Sequence, residues 1–164
     1  MIVGARGYAR NMDHSTSLTQ HIQAPPEKVW SVITDIPGSA ATLSGVESVQ
    51  LLTDGPYDEG TRWKETRKMF GKAETVEMWV AGAEPNRSTT VKAVQGGADY
   101  TTRFDLSPRD GGTDLTLAFG AEVIKPTVAS KILMLLFGRM GMAATRRALT
   151  KDLAEIAAKA ESLP

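Results

Sequence analysis

The 164-residue chain has no cysteine, which excludes disulfides, thiol nucleophiles and thiolate metal sites and suits a reducing compartment. Its only histidines, His14 and His21, lie seven positions apart on one strand-like segment. They therefore point to opposite faces and cannot share a metal. Net charge is absent as well: 19 basic residues against 19 acidic ones leave no global field to attract nucleic acid or an anionic membrane. Aromatic residues are only 6% of the chain, too few beside the Lys and Arg residues for nucleic-acid stacking. The most apolar stretch, Val128 to Ala144, is short and interrupted by Gly138 and Gly141, so stable membrane insertion is not expected. There is no phosphate loop, dinucleotide fingerprint, Gly-x-Ser-x-Gly elbow, His-Glu-x-x-His pair or internal repeat, and the Ser, His and Asp residues have no triad spacing. No cofactor is implied.

Met1 to Asp13 contains Arg6 and Arg10 but no apolar run of signal-peptide length. The expectation is a cytoplasmic protein whose first 13 residues are poorly ordered, with Met1 or Met12 as the native start, and a single domain over 14–164.

Periodicity supplies the order of elements. His14 to Gln23 alternates, with Leu18 and Ile22 on one side, and Ala24-Pro25-Pro26 ends that strand. Pro26 to Thr34 reads as a short helix carrying Val29, Trp30 and Ile33 inward, and Ala40 to Leu43 adds one more turn. Strand patterns follow over Val46–Leu52, Thr61–Phe70, Ala73–Ala83, Arg87–Val94, Ala98–Ser107 and Thr113–Ile124, separated by turn signals such as Gly71-Lys72, Gly96-Gly97 and Asp110-Gly111-Gly112. Short turns force antiparallel neighbours, and twist curls such a meander into a half-barrel with one apolar face. A long helix from about Thr127 to Leu163 is left to cover it, with Gly138 and Gly141 marking a bend or a close approach. Its second half carries a stripe of Leu149, Leu153, Ile156 and Ala160, with Lys151, Asp152, Glu155 and Lys159 expected to face water.

This layout, an α+β arrangement of about seven strands around one terminal helix, resembles the helix-grip fold of the START-like superfamily (SRPBCC), which groups polyketide cyclases and dehydrases with lipid-transfer proteins. The words that carry the resemblance are Ala24-Pro25-Pro26-Glu27-Lys28-Val29-Trp30 after the first strand, Gly60-Thr61-Arg62-Trp63 opening the third, and Lys151-Asp152-Leu153 in the last helix. It spans about Ser15 to Leu163. It implies a hydrophobic ligand cavity between sheet and helix and brings no family-wide catalytic residue with it.

Within the third strand, Arg62, Lys64, Thr66 and Lys68 form a coherent outward set, which turns Trp63, Glu65, Arg67 and Met69 inward. Charges on a concave face need partners, so Glu65 and Arg67 should pair with each other, with a neighbour such as Glu74 or Arg103, or with a polar ligand group. Parity places Arg103 outside, and Tyr100 offers a hydroxyl on an apolar inner face. The expected ligand-binding set is Trp63, Met78, Tyr100, Phe104, Phe119 and Leu135 as apolar wall and Glu65 and Arg67 as polar groups, with Met69, Met134, Met140, Met142 and Phe137 as further lining. Three readings stay open: a binder of a small hydrophobic or amphipathic molecule (lipid, isoprenoid or polyketide-like), a cyclase or dehydrase using the same cavity, and an interaction module or homodimer using the apolar half of the last helix.

Overall fold

In the computed structural model, residues 14–69, 71–125, 134–135 and 137–164 are described. The expectation of disorder for Met1 to Asp13, and the first helical residues expected after Pro126, lie outside them. Strands β1 (His14–Ile22), β2 (Val46–Leu51), β3 (Arg62–Met69), β4 (Lys72–Glu84), β5 (Ser88–Gln95), β6 (Ala98–Arg109) and β7 (Gly112–Val123) form one sheet in the order β1-β7-β6-β5-β4-β3-β2. Every pairing is antiparallel. From β2 to β7 the sheet is a simple meander. The first strand departs from it by pairing with β7, so β1 and β2 occupy opposite edges.

The connection between those edges contains α1 (Pro26–Ile33) and α2 (Ser39–Thr42). Pro26 stands in the first turn of α1, where a missing N–H loses no helical bond, and Glu27 complements the positive end. The β5–β6 turn places both Gly96 (φ 58°) and Gly97 (φ 81°) in the left-handed region, which explains a glycine pair between two strands.

The terminal helix, α3 (Arg139–Ser162), is preceded by helical residues at 134–135 and 137 and separated from them by Gly138, whose ψ of 166° is extended. A Cβ at Gly138 would lie 2.3 Å from the Met134 carbonyl oxygen, which accepts the Gly138 N–H at 2.9 Å. The bend expected from the glycines therefore falls at Gly138, where a side chain does not fit. Gly141 is a buried position within the helix.

The largest core cluster joins β1, β6 and β7 to α1 and the C-terminal half of α3 through Ile22, Val29, Leu106, Leu115, Leu153 and Ile156. Ile22, Val29 and Leu115 have no exposure at all. Each such side chain contributes about 1.5–3 kcal/mol of transfer free energy, so this end of the sheet is sealed by packing. A second cluster, around Ala93, Ala98, Tyr100 and Ala121, lies toward the other end of the inner face, and a third gathers Ile36, Trp63 and Val80.

Candidate functional site

The inner face of β3 has the parity expected. Trp63 (3% exposed) and Glu65 (8%) are buried, Arg67 and Met69 are half-buried, and Arg62, Lys64 and Lys68 are exposed. Trp63 belongs to the cluster with Ile36 and Val80, and Met69 to the one with Tyr100. Glu65 and Arg67 therefore separate two apolar regions.

These two charges hold each other. Arg67 Nε donates to Glu65 Oε1 at 2.7 Å, and Arg67 Nη1 donates to Asp152 Oδ2 of α3 at 2.8 Å. Trp63 Nε1 makes a longer contact, 3.4 Å, with Glu65 Oε2. Glu74, Arg67's cross-strand neighbour in register, is exposed, and Arg103 pairs instead with Asp105 at 2.7 Å. Asp152 overturns the expectation that it faces water: it is 7% exposed. Burial lifts its pKa above the ordinary carboxylate value, Arg67 pulls it back in part, and Glu155 and Glu65 add to the rise. For Arg67, burial acts to lower the pKa, but the Asp152 and Glu65 charges outweigh it and hold the guanidinium above its usual value. The trio is a charged strut from β3 to α3. With both carboxylates engaged, it fixes the height of the helix over this edge of the sheet. Glu155, one turn further along α3, takes Ser44 N–H at 3.0 Å and Ser44 Oγ–H at 2.6 Å, fastening the approach to β2 to the same helix.

At the other end of the inner face, three rings stack in a ladder. Tyr100 and Phe119 lie 6.2 Å apart with planes 8° from parallel, and Phe119 and Phe137 lie 5.7 Å apart at 15°. Tyr100 and Phe119 come from adjacent strands, and Phe137 comes from the segment before the Gly138 break. Around them the wall is Ala93, Ala98 and Ala121, with Met69, Val76 and Met78 packed alongside. Within this apolar region the Tyr100 hydroxyl is buried and has no hydrogen-bond partner among the described residues. Burial raises its pKa, so it is a neutral donor.

The expected set thus divides. Tyr100, Phe119 and Met78 share one cluster, and Met78 also touches the Trp63 cluster. Phe104 packs against the sealed core with Leu106 and Leu115 rather than beside Tyr100. Leu135 is 50% exposed, and Met134 (76%) and Met140 (88%) are more so, so these three do not line the interior. Asp152 and the alanine wall were missed. The signal for Asp152 lay in its spacing, three residues after Leu149 and four before Ile156, which is the buried stripe itself. His21 is half-buried and bonds Asp114 at 2.7 Å; that pair joins β1 to β7. Among the described residues no three His, Asp or Glu side chains gather as a metal site requires.

A curved seven-stranded antiparallel sheet gripping a long terminal helix, with two short helices after its first strand, is the helix-grip architecture of START-like proteins. Residues 13–161 match the model of the polyketide cyclase/dehydrase and lipid transport family, and the chain belongs to that family. The Zhui aromatase/cyclase from Streptomyces sp. R1128 superposes with a TM-score of 0.74 at 20% identity, over 90% of this chain and 93% of that one. A START superfamily protein from Mycobacterium smegmatis gives 0.68 at 17% identity, over 89% and 98%. The protein TTHA0849 from Thermus thermophilus gives 0.69 at 22% identity, over 90% and 99%. At these identities the likeness is one of fold. No curated protein matches the chain by sequence.

Proposed function

We propose that this protein binds a small hydrophobic or amphipathic molecule of the lipid, isoprenoid or polyketide kind between the inner face of the sheet and the terminal helix, at the Tyr100 end. The observation that carries this reading is the Tyr100 hydroxyl: buried, on a residue only 9% exposed, unpartnered among the described residues, and set in an apolar wall. A buried hydroxyl left without a partner costs about 1–3 kcal/mol, and a carbonyl or hydroxyl oxygen of a ligand would recover it. The alanines at positions 93, 98 and 121 keep the wall thin beside the ring ladder, which suits a flat or flexible apolar guest. Met78, Phe119 and Tyr100 contact the ligand, and Met78 links this wall to the separate Trp63 cluster. Glu65 and Arg67 act through the strut that positions the helix. A chain without cysteine is compatible with a reducing, cytoplasmic setting.

Native mass spectrometry and displacement of an apolar fluorescent dye test this. Uptake of lipids or aromatic polyketides, with about tenfold weaker binding of oxygen-bearing ligands by Tyr100→Phe, supports it; each lost hydrogen bond is worth about 0.5–1.5 kcal/mol. No uptake of either class refutes it.

The family's cyclases and dehydrases favour a second reading, in which Tyr100 donates its proton to an enolate formed in a folded chain held by the same walls. Tyr100→Phe separates the two: turnover abolished with uptake retained marks an enzyme.

A further inference from the structure

The chain is neutral as a whole but not along its length. From Val123 to Lys151 it contains six basic residues and no Asp or Glu, so the remainder carries six more acids than bases. Of those six, Lys125, Arg139, Arg146, Arg147 and Lys151 are described, and all five are exposed. Arg139 opens α3, where the positive end of the helix disfavours a cation, and the first turn has no acid to offset it.

Large apolar side chains are exposed on the same segment. Met134 and Met140 are 76% and 88% exposed on either side of the Gly138 break, with Leu135 at 50%. Phe137, between them, is anchored in the cluster that includes Val123, and Ile124 (51%) and Lys125 follow directly. The Ile124 and Lys125 N–H groups both donate to Gly97 O at 2.8 Å, which brings them to the β5–β6 turn. Along the outer face of α3, Met140, Arg147 and Lys151 follow at helical spacing, all exposed. This end of the molecule therefore presents exposed apolar side chains with Lys125, Arg139 and Arg147 close to them in the chain, and one exposed acid, Glu122, two residues before Ile124.

We infer that the surface formed by Met134, Met140, Ile124, Lys125, Arg139 and Arg147 docks on an anionic lipid bilayer. Basic residues gather the negative surface of such a membrane, and the methionines enter the headgroup boundary. No helix among the described residues is long and apolar enough to cross a membrane, so the contact is peripheral. The inference stands apart from ligand binding, since it rests on outward-facing side chains.

Flotation of the full chain with vesicles tests it, using phosphatidylcholine alone and phosphatidylcholine mixed with phosphatidylglycerol. The protein is expected to float with the anionic vesicles only, and to release in about 1 M salt, where the screening length is about 3 Å. Arg139→Gln with Arg147→Gln should weaken binding about twenty-fivefold, roughly fivefold per basic residue. Met134→Ser with Met140→Ser should weaken it while leaving the protein folded by circular dichroism. Equal binding to both vesicle types, or to neither, overturns the inference on the wild-type protein alone. So does a dimer in light scattering that the methionine variant turns into a monomer, since a second copy would then be the occupant. Dye displacement on the same variants is expected to be unchanged, so failure here and failure of ligand binding are read separately.

Discussion

Replacing Arg67 with Met would strip the only cation observed, among the described residues, at a site where Glu65 and Asp152 are 8% and 7% exposed. Removing one partner of a buried ion pair costs about 3–5 kcal/mol, because the remaining charge stays desolvated. Arg67's side chain keeps 25% exposure, which allows water to reach it and places the expected loss near the lower bound, about 3 kcal/mol. With a urea m-value of about 2 kcal/mol/M, the unfolding midpoint should fall by about 1.5 M at neutral pH. The loss must also depend on pH in one direction. Burial already raises Asp152's pKa in the folded protein, and without Arg67 nothing opposes that rise. A carboxyl whose folded pKa exceeds its unfolded value binds more protons when folded, so stability declines as pH rises through that window and returns as pH falls. The gap between wild type and Arg67→Met should therefore be widest near pH 7 and narrow toward the ordinary carboxylate range, about pH 4. Replacing all three residues together, Glu65→Leu, Arg67→Met and Asp152→Leu, should restore most of the stability, since apolar residues of similar volume often replace buried ion pairs without loss. A midpoint change below about 0.3 M, or a gap that widens in acid, would refute the strut.

Glu155 titrates in the opposite sense. Slight burial acts to raise its pKa, but the hydrogen bonds from Ser44, with Lys151 and Arg67, bring it below the usual value. The stability that Glu155 adds over Glu155→Gln should be present above the ordinary carboxylate range and vanish as pH falls through the lowered value; urea melts at a series of pH values, with a gap of at most about 1 kcal/mol, check this. Gly138→Ala forces a Cβ to within 2.3 Å of the Met134 carbonyl. It should lower stability by about 1–3 kcal/mol and weaken the near-ultraviolet circular dichroism of the Tyr100–Phe119–Phe137 ladder, measured together in thermal melts; an unchanged signal would show that the break does not depend on glycine.

The meander from β2 to β7 could be read from its short turns, and the inward row of β3 from alternation, because four polar residues on the side opposite Trp63, Glu65 and Arg67 make a coherent outward set. The third member of the strut could not be read the same way. Asp152 sits between Lys151 and Glu155 in composition but between Leu149 and Ile156 in geometry, and residue type obscured its spacing. Met134 and Met140 show the converse. Their segment is apolar nearly all round, so no periodicity distinguishes an inner face, and the extended backbone at Gly138 sets Met134 and Met140 on separate helical pieces. The pairing of β1 with β7 likewise has no local signature, since it joins segments with the whole meander between them.

That pairing has a consequence for biogenesis. His14 is matched to Ala121, so the opening strand waits for about a hundred further residues before its partner exists. At about 5–20 residues per second, translation leaves it unmated for about 5–20 seconds. Among the described side chains of that strand the exposed ones are Ser15, Ser17 and Thr19, all hydroxyl-bearing. Its wholly covered anchor, Ile22, comes last, next to the prolines that lead into α1. The sheet's first edge therefore forms only after its last strand has been made.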